Sequence, residues 1–323
     1  MSNERPLKAT SLGRWAAVAA IGLVLVACST PAGSVAPSEA GQYPGWPGNG
    51  TVVANGDFIP VIVSAEVGAG HSRVLITLQD GAGRSLAAPA VTVQERFYDL
   101  ASSTEIPVSQ VDGTFRWLIP DAKAIYTSYA DFAHPGDWGI EVTGLEAGKP
   151  DRTARATFSV REKTETPAIG ADAPPSDTLT ATDAAAIAAI STDTDPDPAF
   201  YGLSVRDAIA TGKPFVLVFA TPLFCTSGTC GPALDLVKQV APDYAGQVNF
   251  IHVEPYLLHV TDGRTQPTLD ALGHSQPVKA VLEWGLPTEP YVFVVDAKGK
   301  VAAKFEGEAY PDELTAALDA VLR

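Results

Sequence analysis

Cys225 and Cys230 are the residues of this chain best suited to chemistry. They lie in Phe224-Cys225-Thr226-Ser227-Gly228-Thr229-Cys230-Gly231-Pro232, and the only other cysteine, Cys28, is far upstream. Two thiols this close can cycle between dithiol and disulfide. One thiolate attacks a substrate disulfide, and the second thiol resolves the mixed disulfide that forms. The same pair could instead staple its own loop, a small ring contributing roughly 2 kcal/mol in the loop-entropy model. The two outcomes differ in how acidic a thiol becomes, and the flanking elements decide that.

Before the cysteines runs the apolar segment Phe215-Val216-Leu217-Val218-Phe219-Ala220, which predicts a strand. After them, Ala233 to Val240 places apolar residues at three-to-four spacing and predicts a half-buried helix. The order is strand, cysteine loop, helix. A thiol at a helix N-terminus meets the positive end of the helix dipole and free backbone N–H groups, which favour thiolate. That reasoning favours Cys230, at the predicted helix start, as the more acidic thiol. Downstream, Val248 to Val253 and Tyr291 to Val295 read as strands. The turn Asp296-Ala297-Lys298-Gly299-Lys300 closes a hairpin with Val301 to Phe305, and a last helix opens at Asp312. Ser204 with Asp207 predicts a capped short helix before the cysteine segment.

This order, with Cys230-Gly231-Pro232 and Pro290-Tyr291-Val292-Phe293-Val294-Val295-Asp296, resembles the thioredoxin-like superfamily, particularly its extracytoplasmic lipoproteins. The resemblance covers about the last 125 residues. It implies an α/β thioredoxin-like domain over 196–323 and thiol–disulfide oxidoreductase activity through Cys225 and Cys230. It also implies a cis Glu289–Pro290 bond whose loop, Glu289 and Pro290, faces the cysteines and holds an extended substrate segment. The partner implied is a protein thiol or disulfide, and no cofactor or metal is expected. Two departures stand out. The spacing is Cys-x-x-x-x-Cys instead of Cys-x-x-Cys, and Val218 occupies the place of the family's buried acidic residue. If Phe224-Cys225 matches the family's Trp-Cys, Cys225 becomes the nucleophile instead. Some relatives handle copper through two cysteines and a histidine, for which this chain offers His252, His259 or His274. A non-enzymatic surface binding protein with a structural disulfide is the other alternative.

The N-terminal part predicts an all-β, immunoglobulin-like sandwich over 51–161. Its β-rich runs are Ile59 to Val67, Ser72 to Leu78, Ala90 to Tyr98, Ala124 to Phe132, Trp138 to Leu145 and Thr153 to Val160, punctuated by Gly, Pro and Asp. Trp138 reads as a core anchor. Residues 162–195, with Pro167, Pro174 and Pro175, read as a linker. At the start, Arg5, Lys8 and Arg14 precede an apolar run ending in Leu25-Val26-Ala27-Cys28. This resembles a lipoprotein signal peptide over 1–28, with Cys28 lipidated and the protein anchored to a membrane outside the cytoplasm. Residues 29–50, rich in Pro, Gly, Ser and Ala, read as a tether. The net charge of −15 argues against nucleic acid as a partner.

Overall fold

The computed structural model describes residues 42–48, 52–53 and 57–323. The predicted signal peptide, Cys28 and most of the tether lie outside these residues. Ser38–Arg323 form one compact unit. No helix among the described residues is long and apolar enough to cross a membrane.

The first part is a single antiparallel sheet of eight strands. These are β1 (Val52–Val53), β2 (Ile59–Ile62), β3 (Gly70–Gln79), β4 (Val91–Asp99), β5 (Ser109–Ile119), β6 (Lys123–Phe132), β7 (Gly136–Glu146) and β8 (Arg152–Val160). Their order is β1-β8-β7-β4-β5-β6-β3-β2. β5 makes the sheet continuous: Ser109 to Gly113 pair with β4, and Thr114 to Ile119 pair with β6. The strand changes partner at Gly113, where the neighbouring chains approach closely. A Cβ at that position would stand 2.8 Å from Glu95 Oε1 and 3.0 Å from Tyr126 Cβ. The sheet wraps around a core of Val74, Ile76, Phe97, Phe132, Trp138 and Phe158. Trp46, in the predicted tether, is also buried against Tyr98 and Leu100. Its indole N–H donates to the Thr104 carbonyl at 3.0 Å.

The second part is built on a four-stranded mixed sheet of β9 (Phe215–Phe219), β10 (Asn249–Val253), β13 (Tyr291–Val295) and β14 (Val301–Glu306), ordered β10-β9-β13-β14. β9 and β10 are parallel, and β13 runs antiparallel to both its neighbours. A hairpin of β11 (Leu258–Thr261) and β12 (Arg264–Pro267) stands apart from it. Along β9 the side chains alternate between two cores. Val216 and Val218 face α3 (Cys230–Val240) and α5 (Pro311–Val321). Phe215, Leu217 and Phe219 face α2 (Val205–Ala210) and α4 (Lys279–Glu283). Ser204 caps α2 by accepting the Asp207 N–H at 3.1 Å. The predicted linker is pinned down: it carries α1 (Ala184–Ile190), buries Thr166, Ser176 and Ile187, and its Ala173 N–H donates to Gly299.

The fold class expected from sequence, an immunoglobulin-like sandwich followed by an α/β thioredoxin-like domain, is corrected by this architecture. Strand makes up 38% and helix 17% of the described residues, and no α/β thioredoxin-like C-terminal domain is indicated. Alternating strand patterns fill residues 59–160, and β5 fuses what would be two sheets into one. In the last part, α1, α2 and α4 run only seven, six and five residues. The two parts are also bonded to each other. Arg73 of β3 grips Glu313 of α5 at 2.9 and 2.8 Å and donates to the Glu306 and Glu308 carbonyls. Arg116 of β5 holds Asp312 at 2.9 and 2.6 Å.

Candidate active site

β9 is wholly buried and delivers the chain through Ala220 and Thr221 into the cysteine loop. Cys230 is the first residue of α3, and its side chain is 0% exposed among Leu234, Val218 and Ala309. The residue before it, Thr229, makes no side-chain cap. The helix therefore starts with backbone N–H groups that need an acceptor. Cys225 supplies it. Its Sγ accepts the Cys230 N–H at 3.2 Å and lies 3.1 Å from Ser227 Oγ. Ser227 Oγ in turn lies 2.8 Å from Thr229 Oγ1. The loop can double back this tightly because Gly228 takes φ +78, a left-handed conformation costly for other residues.

The two thiols are consequently unequal. The Cys230 thiol, the Ser227 hydroxyl and the Cys230 and Thr229 N–H groups all hold Cys225 well below the ordinary thiol range, against an opposing push from partial burial. Cys230 is driven strongly upward, because its thiol is the donor to Cys225 and because it is buried. This corrects the expectation that Cys230 is the more acidic thiol. Being the first residue of the helix does not place a side chain in front of the helix N–H groups. The upstream loop folds back and puts Cys225 there instead, leaving Cys230 behind it in the core.

The Glu289–Pro290 bond is cis. The Glu289 carboxylate accepts the Tyr256 hydroxyl at 3.0 Å, and burial pushes its acidity toward the protonated form. The Pro290 carbonyl accepts the Gly307 N–H at 2.9 Å, which brings the next residue, Glu308, to the same region. Glu308 is 1% exposed, and neither carboxyl oxygen has a hydrogen-bond partner among the described residues. Burial pushes it up to about 7. Glu254, at the end of β10, is 5% exposed. Its Oε2 accepts the Thr192 N–H at 3.0 Å and hydroxyl at 2.7 Å, and burial raises it too to about 7. The Cys225 charge pushes Glu289 and Glu308 further toward the neutral acid. Sequence reasoning missed Ser227, Glu254, Tyr256 and Glu308. The glutamates sit just beyond apolar strands, where a charge ordinarily marks the exit to solvent.

Of the histidines, His252 is buried, donates from Nε2 to the Ala220 carbonyl at 2.9 Å and pairs through Nδ1 with the Tyr201 hydroxyl at 2.9 Å. Burial lowers it to about 4. His259 meets Thr268 and His274 meets Asp270 on the exposed hairpin side. Among the described residues no cluster of three His, Cys, Asp or Glu side chains is arranged to hold a metal ion.

No protein-family model matches the chain, and no curated protein matches it. Partial likenesses to solved structures exist. The soluble domain of PmoD from Methylocystis sp. ATCC 49242 (Rockwell) is 15% identical over 34% of this chain and 95% of that one, with a TM-score of 0.23. An engineered protein is 15% identical over 33% of this chain and 20% of its own, TM-score 0.21. The filamin domain of Lin-41 is 17% identical over 32% and 93%, TM-score 0.19.

Proposed function

We propose that this chain performs thiol–disulfide exchange, with Cys225 as the attacking thiolate and Cys230 as the resolving thiol. The observation that carries this reading is the pairing of a partly exposed sulfur on the uncapped N-terminus of α3 with a fully buried thiol behind it. A static staple needs no such asymmetry. Cys225 attacks one sulfur of a substrate disulfide, the other substrate sulfur leaves as a thiolate, and a mixed disulfide forms. Cys230 then gives up its proton and attacks Cys225 Sγ. The Cys225–Cys230 bond forms, the mixed disulfide breaks, and the substrate departs as a dithiol. Beside Glu289 lies a groove of about 280 Å³, lined by Pro255, Tyr256, Leu286 and Pro287, where this reading seats an extended substrate segment.

The chain acts, in this reading, outside the cytoplasm and anchored to a membrane through lipidated Cys28, because Leu25-Val26-Ala27-Cys28 follows a basic segment and an apolar run. Substrate trapping tests the assignment. C230S should accumulate stable mixed disulfides on Cys225, since nothing resolves them, whereas C225S should trap none. Trapping by C225S alone, or by neither variant, would overturn it.

A further inference from the structure

The turn joining β5 to β6 reaches across to the cysteine loop. Lys123 Nζ donates to the Ser227 carbonyl at 2.7 Å, although 104 residues separate the two in sequence. The Ile119 side chain lies against Gly228, 3.4 Å from where a Cβ there would stand. The turn is itself firmly held. Ala122 N–H donates to the Ile119 carbonyl at 3.0 Å, and the Tyr310 hydroxyl donates to the Trp117 carbonyl at 3.1 Å. Arg116, which grips Asp312, stacks 4.7 Å from the centre of the Tyr310 ring. The cysteine loop has no comparable packing of its own: Leu223 is exposed, and Thr226, Ser227 and Gly228 are exposed. Ser227 is the hinge between the two. Its carbonyl meets Lys123, and its hydroxyl meets Cys225 Sγ.

We propose that Lys123 is a positioning residue of the redox site: by holding the Ser227 carbonyl it fixes the direction in which Ser227 offers its hydroxyl to Cys225, so the N-terminal sheet sets the reactivity of the attacking sulfur. This rests on the exchange reading above. The ionisable groups coupled to Cys225 include Cys230 from α3, and Tyr256 from beyond β10, Glu289 from the cis-proline loop and Glu308 from before α5, each of which the Cys225 charge pushes up. None of them belongs to the β5–β6 turn. The contact Lys123 makes with the cysteine loop is to the Ser227 carbonyl, so a charged donor of similar reach should replace it.

The test follows Cys225 alkylation by iodoacetamide against pH on reduced full-length protein in detergent, with peptide mass spectrometry reporting the site. K123M should shift the profile to higher pH, so that below its midpoint the rate falls about fivefold, the worth of one ordinary hydrogen bond. K123R should restore the profile to within about twofold. S227A should reproduce the K123M shift, and the double variant should be no slower than S227A alone. An unchanged K123M profile, or a K123R profile as shifted as that of K123M, overturns the positioning role while leaving the exchange reading intact. A Cys225 that reacts no faster than free cysteine in the unaltered chain removes both.

Discussion

In the proposed exchange reaction the attacking residue, Cys225, caps a helix from outside it. An uncapped helix start needs an acceptor, and a thiolate serves well because the dipole and the N–H groups both favour its charge. The same residue-scale logic runs in reverse for the buried carboxyls. Glu95, Glu254, Glu306 and Glu308 are each pushed by burial from an ordinary 4.5 to about 7. Each binds its proton more tightly folded than unfolded. Its stabilisation is therefore complete below about pH 4.5 and is lost as pH rises through about 7. Thermal unfolding should show a lower midpoint at about pH 8 than at about pH 5. Glu95, fully buried with Ser128 Oγ at 2.6 Å as its only partner among the described residues, isolates one contribution. E95Q should reduce the decline by up to about 3 kcal/mol, measured by denaturant unfolding at the two pH values. An equal or steeper decline in E95Q would contradict the account.

At the scale of elements, the sequence was informative where patterns were strong. The strand and helix flanking the cysteine loop, the Asp296 turn and the Ser204 cap all follow from apolar runs and turn chemistry, and the structure has them. β5 was missed because Ser109 to Gly113 is mostly polar and gives no β-rich run. Gly113 is there for a close approach, letting one strand pass from β4 to β6 beneath Tyr126 and Glu95. Without β5, nothing in the pattern of the remaining runs shows that they join into one sheet instead of a sandwich. The cysteine ranking failed for a related reason. Spacing locates Cys230 at the helix start but cannot show that the preceding loop turns back over it. G113A tests the strand-crossing argument: forcing a methyl group against Tyr126 should cost about 1–3 kcal/mol, read by chemical denaturation. A loss under about 0.5 kcal/mol would mean that β5 has room to spare.

Across the whole molecule, the eight-stranded sheet and the cysteine-bearing layer are joined by charged groups taken out of water. Arg73 and Glu313 are 6% and 7% exposed at their side chains, and Arg73 also ties down the backbone on both sides of Gly307. Removing one partner of such a buried pair strands the other and costs about 3–5 kcal/mol. R73A should lose stability on that scale and should also speed limited proteolysis within residues 162–183, where the connecting chain lies against both parts. A loss below about 1 kcal/mol would show that the ion pair is solvated in solution and the layers are held by other contacts.

The reduction potential of the Cys225–Cys230 pair in the intact protein is the most direct measurement. Helix N–H groups, Ser227 and the Cys230 thiol all stabilise the reduced form through the Cys225 thiolate, which makes the disulfide easier to reduce. Equilibration against glutathione redox buffers should give a value less negative than about −250 mV. A value below about −300 mV would mark an inert structural bond and contradict thiol–disulfide exchange as the function of this site.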